Sequence, residues 1–262
     1  MRRELINIFP TWSLFFLVCA ALIVFALIVY KVSRRYFPSY LMSGGLNLSN
    51  LFMNVITINT MLLAFTIVVL WQFFEKTTDA VNSEASSLAE IIIYSKALDP
   101  DEQHRINKAV SEYIKLVVDT EWKLMRKGES SIEAESALKN IYVVIEEYSP
   151  TSENQRLFFQ QALSSYNKTL DARSARLNAV NSTIPNTFFF VIVANLLMLI
   201  AAICLIDEKN KKAEFVFIIY VSIIVGLNLS LIMIMDFPFS GQFSISSAPL
   251  TGGLLESIYN VA

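Results

Sequence analysis

LFMNVITINTMLLAFTIVVLWQFF, residues Leu51–Phe74, carries no charged side chain, and EKTTDAVNSEASSLAEIII follows it at residues 75–93 with no turn signal between the two. At 1.5 Å per residue a helix needs about 20 apolar residues to cross roughly 30 Å of hydrocarbon. The first stretch therefore has spanning length. In the second, Val81, Ala85, Leu88 and Ile92 recur at helical spacing on an otherwise polar chain. The pair reads as one helix that leaves the membrane and runs on into water.

Three further charge-free runs flank it: Trp12–Tyr30, Thr187–Ile206 and Phe215–Met235. Trp12–Tyr30 is preceded by Arg2 and Arg3, as a signal peptide would be. It is too long for a signal h-region, however, and Lys31, Arg34 and Arg35 stand where a small-residue cleavage site belongs. Trp12, Tyr30, Trp71 and Tyr220 fall near run ends, where interfacial aromatics collect. Four spans are expected.

Of the 262 residues, 54% are hydrophobic and 17% charged, and the charge collects between residues 75 and 184. That segment breaks at Asp99-Pro100, Gly128 and Ser149-Pro150, with Ser152 or Asn154 placed to cap the helix after the last break. Between the breaks lie Asp101–Arg126, with Ile106, Val110, Tyr113, Ile114 and Val117 on one face, and Ser131–Tyr148, with Ile132, Leu138, Ile141 and Ile145. A last helix carries Leu157, Leu163, Leu170 and Leu177. The expected architecture is an all-α membrane protein with four transmembrane helices. A soluble antiparallel helical bundle (75–184) is inserted between the first pair (1–74) and the last pair with the C-terminal segment (185–262).

Net charge of −2 supplies no basic field for nucleic acid. Cys19 and Cys204 lie in apolar runs, outside any disulfide or metal-ligand spacing, and no cofactor motif, phosphate loop or nucleophile–base pair is evident, so no enzyme is expected. The spans contain no Asp, Glu, Lys, Arg or His, which argues against a proton relay and permits a passive pore.

Two places concentrate unusual chemistry. In the second span Asn50, Asn54, Thr57, Met61 and Phe65 share a face, with the Asn and Thr suited to an oligomer's pore mouth and Met61 and Phe65 to a constriction gated by dewetting. The competing reading makes these polar side chains interhelical glue. After the fourth span stands Asp236-Phe237-Pro238-Phe239-Ser240-Gly241. Asp236 near lipid needs a partner; a latch to Arg173 or Arg176 is expected, against a vestibule lined by Asp236, Pro238 and Gly241. Glu121 and Trp122 are candidates for a binding surface on the bundle, against the commoner arrangement in which Trp122 packs between helices and Glu121 is paired.

The chain resembles a bacterial membrane-protein family known as a domain of unknown function and described as bestrophin-like. The resemblance rests on Pro10-Thr11-Trp12, Arg34-Arg35, Ala64-Phe65, Trp71, Glu84-Ala85, Tyr113, Val117, Glu121-Trp122, Gly128, Arg173, Arg176-Leu177, Pro185 and the Asp236–Gly241 motif. The second span departs from the family pattern in its richness in Asn and Thr. The resemblance implies the element order of bestrophins, which are pentameric anion channels. The expected function is thus an oligomeric ion channel of a bacterial inner membrane, whose partners are lipid, inorganic ions and other copies of itself. The alternative is a membrane-anchored sensor or scaffold whose bundle binds a partner. Bestrophins keep the bundle in the cytosol, whereas Lys31, Arg34, Arg35, Lys209, Lys211 and Lys212 on the short loops lean towards a periplasmic bundle.

Overall fold

A computed structural model describes residues 2–36, 48–205 and 210–261, with the backbone alone for 48–53 and 261; residues 37–47, Lys209 and the Asn50 side chain lie outside the described residues. Helices account for the secondary structure: α1 Arg2–Ile8, α2 Thr11–Tyr36, α3 Leu48–Ser95, α4 Pro100–Leu116, α5 Trp122–Met125, α6 Ile132–Glu146, α7 Glu153–Asn178, α8 Asn186–Cys204, α9 Lys211–Met235, α10 Ala248–Thr251 and α11 Leu254–Val261. Four of them are long and apolar enough to cross a membrane: α2, α3, α8 and α9. The chain divides into two compact units, residues 1–72 with 182–236 and residues 73–181 with 237–262.

In the first unit α2 buries Leu14, Val18, Leu22 and Ala26, a stripe at every fourth residue. It lies against α9, and the crossing is close because Gly226 faces Cys19: a Cβ built on Gly226 would stand 2.7 Å from Cys19 Sγ. Without a hydrophobic force between helices in lipid, such small-residue contacts carry the association. Polar side chains in the spans return to their own backbones. Ser222 and Ser230 donate to the carbonyls of Ile218 and Gly226, and Asn59 and Thr66 to those of Val55 and Leu62. Asn210 caps α9 by accepting from the Lys212 and Ala213 N–H groups. Just inside that end, buried Glu214 pairs with Arg34 and with Lys211 (3.2 Å). Apolar side chains such as Phe16, Ile28, Phe190 and Met198 face outward, as a lipid surface requires.

In the second unit the core gathers Leu88, Ile91 and Ile92 from α3, Ile106, Val110, Tyr113 and Ile114 from α4, and Leu138, Ile141 and Ile145 from α6. Asp99 precedes α4 with Pro100 at its first turn, and Ser131 caps α6 through the Ala134 N–H. A π-helical turn at Val117–Glu121 joins α4 to α5, and Gly128 ends the run at φ 95°, a conformation glycine adopts without strain. Ser152 is the α7 cap, accepting from the Gln155 N–H. The C-terminal residues belong to this unit: Ser111 donates to the Ile258 carbonyl (3.0 Å), and Leu250 and Leu255 are buried.

Two expected faces are corrected. Ile132 opens α6 and is 76% exposed, because it precedes the buried stripe of Ala134, Leu138 and Ile141 by a fraction of a turn. Along α7 the inward side is Ala162, Ser165, Tyr166, Thr169, Ala172, Arg173 and Arg176, while Leu157 and Leu170 are exposed.

Candidate functional site

The α3 face expected to line a pore is exposed on the protomer. Asn54, Thr57, Met61 and Phe65 are directed outward, Met61 and Phe65 with exposures of 75% and 68%. Asn50 continues their spacing along the α3 backbone. The buried side of α3 is a different stripe, Asn59, Leu63, Thr66 and Leu70. The two sets of polar residues thus differ in burial: Asn59 and Thr66 are buried and bond their own helix, whereas Asn54 and Thr57 are exposed.

Asp236 ends α9 fully buried, and its partner is Arg2. Arg2 Nη1 donates to Asp236 Oδ2 at 2.6 Å, the Ser182 hydroxyl to the same oxygen at 2.8 Å, and the Ile184 N–H to Oδ1 at 2.7 Å. The other guanidinium nitrogen of Arg2 reaches Asn186 Oδ1 at 2.7 Å, and its Cζ lies 4.3 Å from the centre of the Phe189 ring. A carboxylate with no exposure is tolerated because each oxygen accepts a hydrogen bond and a cation closes the charge. The expected latch to Arg173 or Arg176 is therefore replaced by one to Arg2. The signal was available, since Arg2 lies near a membrane end on the same side as Asp236; distance along the chain hid it. Downstream, the motif belongs to the second unit. Phe239 meets Trp122 edge-on at 5.6 Å, Ser240 donates to the Arg126 carbonyl, the buried Pro238 carbonyl accepts from Ile245, and Gly241 turns at φ 74°.

Arg173 and Arg176 are engaged elsewhere, in a buried cluster inside the helical unit. Arg176 Nε and Nη2 grip Glu84 Oε2 and Oε1 at 2.6 and 2.9 Å, a bidentate fork. Its Nη2 also reaches Glu121 Oε2 at 2.9 Å, and Nη1 the Met125 sulfur at 3.1 Å. Arg173 pairs with Glu121 Oε1, which also accepts from the Ser131 N–H, and the Tyr113 hydroxyl donates to Glu84. Trp122 lies beneath the Arg176 guanidinium at 5.3 Å and donates its indole N–H to the Ile245 carbonyl. Glu84, Tyr113, Glu121 and Arg176 have no exposure. Glu121 and Trp122 are thus core residues, not a bundle surface: the π-helical turn ends at Glu121 as the helix turns it inward. Two carboxylates against two guanidiniums balance. Burial alone lowers the Arg176 pKa, but the charge and hydrogen bonds of Glu84 hold it above the ordinary arginine value. Burial, then the Glu84 charge, pushes Tyr113 well above the ordinary tyrosine value. The cluster ties α3, α4 and α7 together through paired charges. Among the described residues no group of three His, Cys, Asp or Glu side chains could hold a metal.

Apolar membrane helices joined to a helical unit with an ion-paired core define a polytopic, all-helical membrane protein. The chain belongs to the Bestrophin-like family: the Bestrophin-like domain matches residues 20–250. Among solved structures it is similar to a bacterial bestrophin homolog from Klebsiella pneumoniae. One mutant form superposes with TM-score 0.71 at 9% identity, covering 94% of this chain and 96% of that one. A second crystal structure of that homolog gives 0.69 at 9%, covering 93% and 95%. No curated protein matches. At this identity the likeness is one of fold, and it extends over nearly the whole length of both chains.

Proposed function

We propose that the chain is the subunit of a homo-oligomeric ion channel in a bacterial inner membrane, with the α3 helices of the subunits lining its axis. The observation that carries this reading is the outward α3 face. Asn54 and Thr57 are exposed, uncharged polar side chains on a membrane span, and a water-filled axis suits such groups better than lipid does. Two turns further on, Met61 and Phe65 project from the same face, so a ring of subunits would close an apolar collar. Asn50 extends the polar mouth by register. Membership of the Bestrophin-like family supports the reading, and the bestrophin analogy suggests five subunits. Ions cross such a collar passively, since none of the span residues titrates as a relay.

Flux through purified protein in liposomes tests the proposal. Wild-type protein is expected to pass ions, and Phe65→Ala, which widens and wets the collar, to raise the flux. A well-folded oligomer that passes no ion under varied salts and voltages overturns it and favours the scaffold reading. So does an axis occupied by lipid or by helix contacts.

A further inference from the structure

Within the membrane unit a cavity of about 590 Å³ opens between α3, α8 and α9. That lies within the roughly 300–1,000 Å³ of ordinary ligand sites. Thr60, Leu63 and Ile67 line it from α3, Ile203 from α8, and Val221 and Asn228 from α9. The two polar side chains are turned back on their own helices: Thr60 donates to the Ile56 carbonyl at 2.9 Å and Asn228 to the Ile224 carbonyl at 2.8 Å. The cavity therefore carries no charge, its polar groups are the Thr60 hydroxyl oxygen and the rest of the Asn228 amide, and its remaining walls are hydrocarbon. Phe217, Ile224 and Val68 at its rim are exposed, so it is reached sideways, from the surroundings of the spans.

We infer that this cavity holds the acyl chain of a membrane lipid, which braces α3 against α8 and α9. Bilayer lipid is the apolar species present at that depth in abundance. The cavity wall on α3 lies roughly a third of a turn round the helix from the Asn54–Phe65 face, by the 3.6-residue period. Val68 borders both. An acyl chain seated there sets how far α3 leans towards the scaffold helices, and hence how wide the Met61–Phe65 collar stands. This consequence rests on the channel reading; the site itself does not.

Full-length protein in phosphatidylethanolamine–phosphatidylglycerol vesicles is labelled with a phosphatidylethanolamine carrying a mid-chain diazirine, and the adducts are mapped by mass spectrometry. Adducts concentrated on Ile67, Ile203 and Val221 are expected, above those on the outward-facing Phe190 and Met198. Ala64→Phe and Val221→Phe, made separately and checked for native oligomer size, should each lose the cavity adducts and keep those on Phe190. Flux through either filled variant should lose its dependence on acyl-chain length. Adducts no denser in the cavity than on Phe190 overturn the inference, as do adducts unchanged in both filled variants or cross-links to a second copy there. An undiminished chain-length dependence in the filled variants overturns the bracing. Labelling is read without conduction, so an inert oligomer with cavity adducts sinks the channel and leaves the lipid site standing.

Discussion

Replacing Arg176 by Met keeps most of its length and removes its charge. Glu84 then loses both prongs of its fork and keeps the Tyr113 hydroxyl; Glu121 keeps Arg173 and the Ser131 N–H. Two fully buried carboxylates are left with one cation. Removing one partner of a buried ion pair costs about 3–5 kcal/mol, because the remaining charge is stranded without solvent. At about 2–4 °C per kcal/mol for a chain of this size, the apparent melting temperature should fall by about 6–20 °C. The assay is the loss of monodisperse protein on heating in detergent, followed by size exclusion with tryptophan emission. The control is Lys139→Ala, which breaks the exposed pair with Glu135 and should leave the melting temperature close to that of the wild type. Adding Glu84→Gln to Arg176→Met should restore part of the loss, since the orphaned charge disappears, whereas independent sites would add. An Arg176→Met protein that melts within the range of the Lys139→Ala control would refute the reasoning.

Asp236→Arg should abolish accumulation of folded protein and be partly rescued by Arg2→Asp, with no rescue from reversals at Arg173 or Arg176; immunodetection of membrane fractions reads this directly. Gly226→Ala forces a methyl to within 2.7 Å of Cys19 Sγ and should cost about 1–3 kcal/mol of overpacking, seen as a lower melting temperature. Cys19→Ala should relieve part of it and leave the 3.0 Å approach to the Cys19 Cα. Hydrogen bonds from Ser165 and Lys168 hold the Glu90 carboxyl below its ordinary value of 4.5. Its folded pKa is depressed, so its contribution is present above 4.5 and fades as the pH falls through the lower folded value. A Glu90→Gln protein should lose less stability than wild type on acidification in that window, measured by melting in buffers stepped below pH 5.

Charge distribution was enough to read the four apolar helices. A charge-free run of spanning length has few soluble explanations, and Pro100, Gly128 and Ser152 punctuate the remainder by local chemistry alone. The unbroken passage from Phe74 into Glu75 likewise showed as the absence of a turn signal, and α3 runs through it. Pairing was harder to read. Asp236 could be assigned a cation but not Arg2, which is 234 residues away and exerts no local periodicity. Glu121 and Trp122 could be read as a binding surface or as a pair packed between helices, and they are packed. Their burial depends on Arg173 and Arg176, two other charges that α7 turns inward. On α7 itself the leucines suggested a core stripe, yet charged and small residues hold that position. A hydrophobic pattern identifies a buried face only where the core is hydrophobic. The α3 face was legible in its spacing, and the cavity beside it was not, since a cavity depends on how three helices lean.

The Arg2–Asp236 pair also has a bearing on how the protein is made. Each unit is assembled from separated stretches of chain, 1–72 with 182–236 and 73–181 with 237–262. Translation at about 5–20 residues per second puts roughly 10–35 s between the emergence of α2 and that of its partner α9. During that interval α2 rests in lipid with its small-residue face uncovered, and Arg2 waits for a carboxylate that has not been synthesised. Biogenesis therefore includes a late closure, in which Arg2, made 234 residues earlier, is fastened by the arrival of Asp236. Premature termination before that residue should leave an inserted but unlocked intermediate, a ready substrate for membrane quality-control proteases.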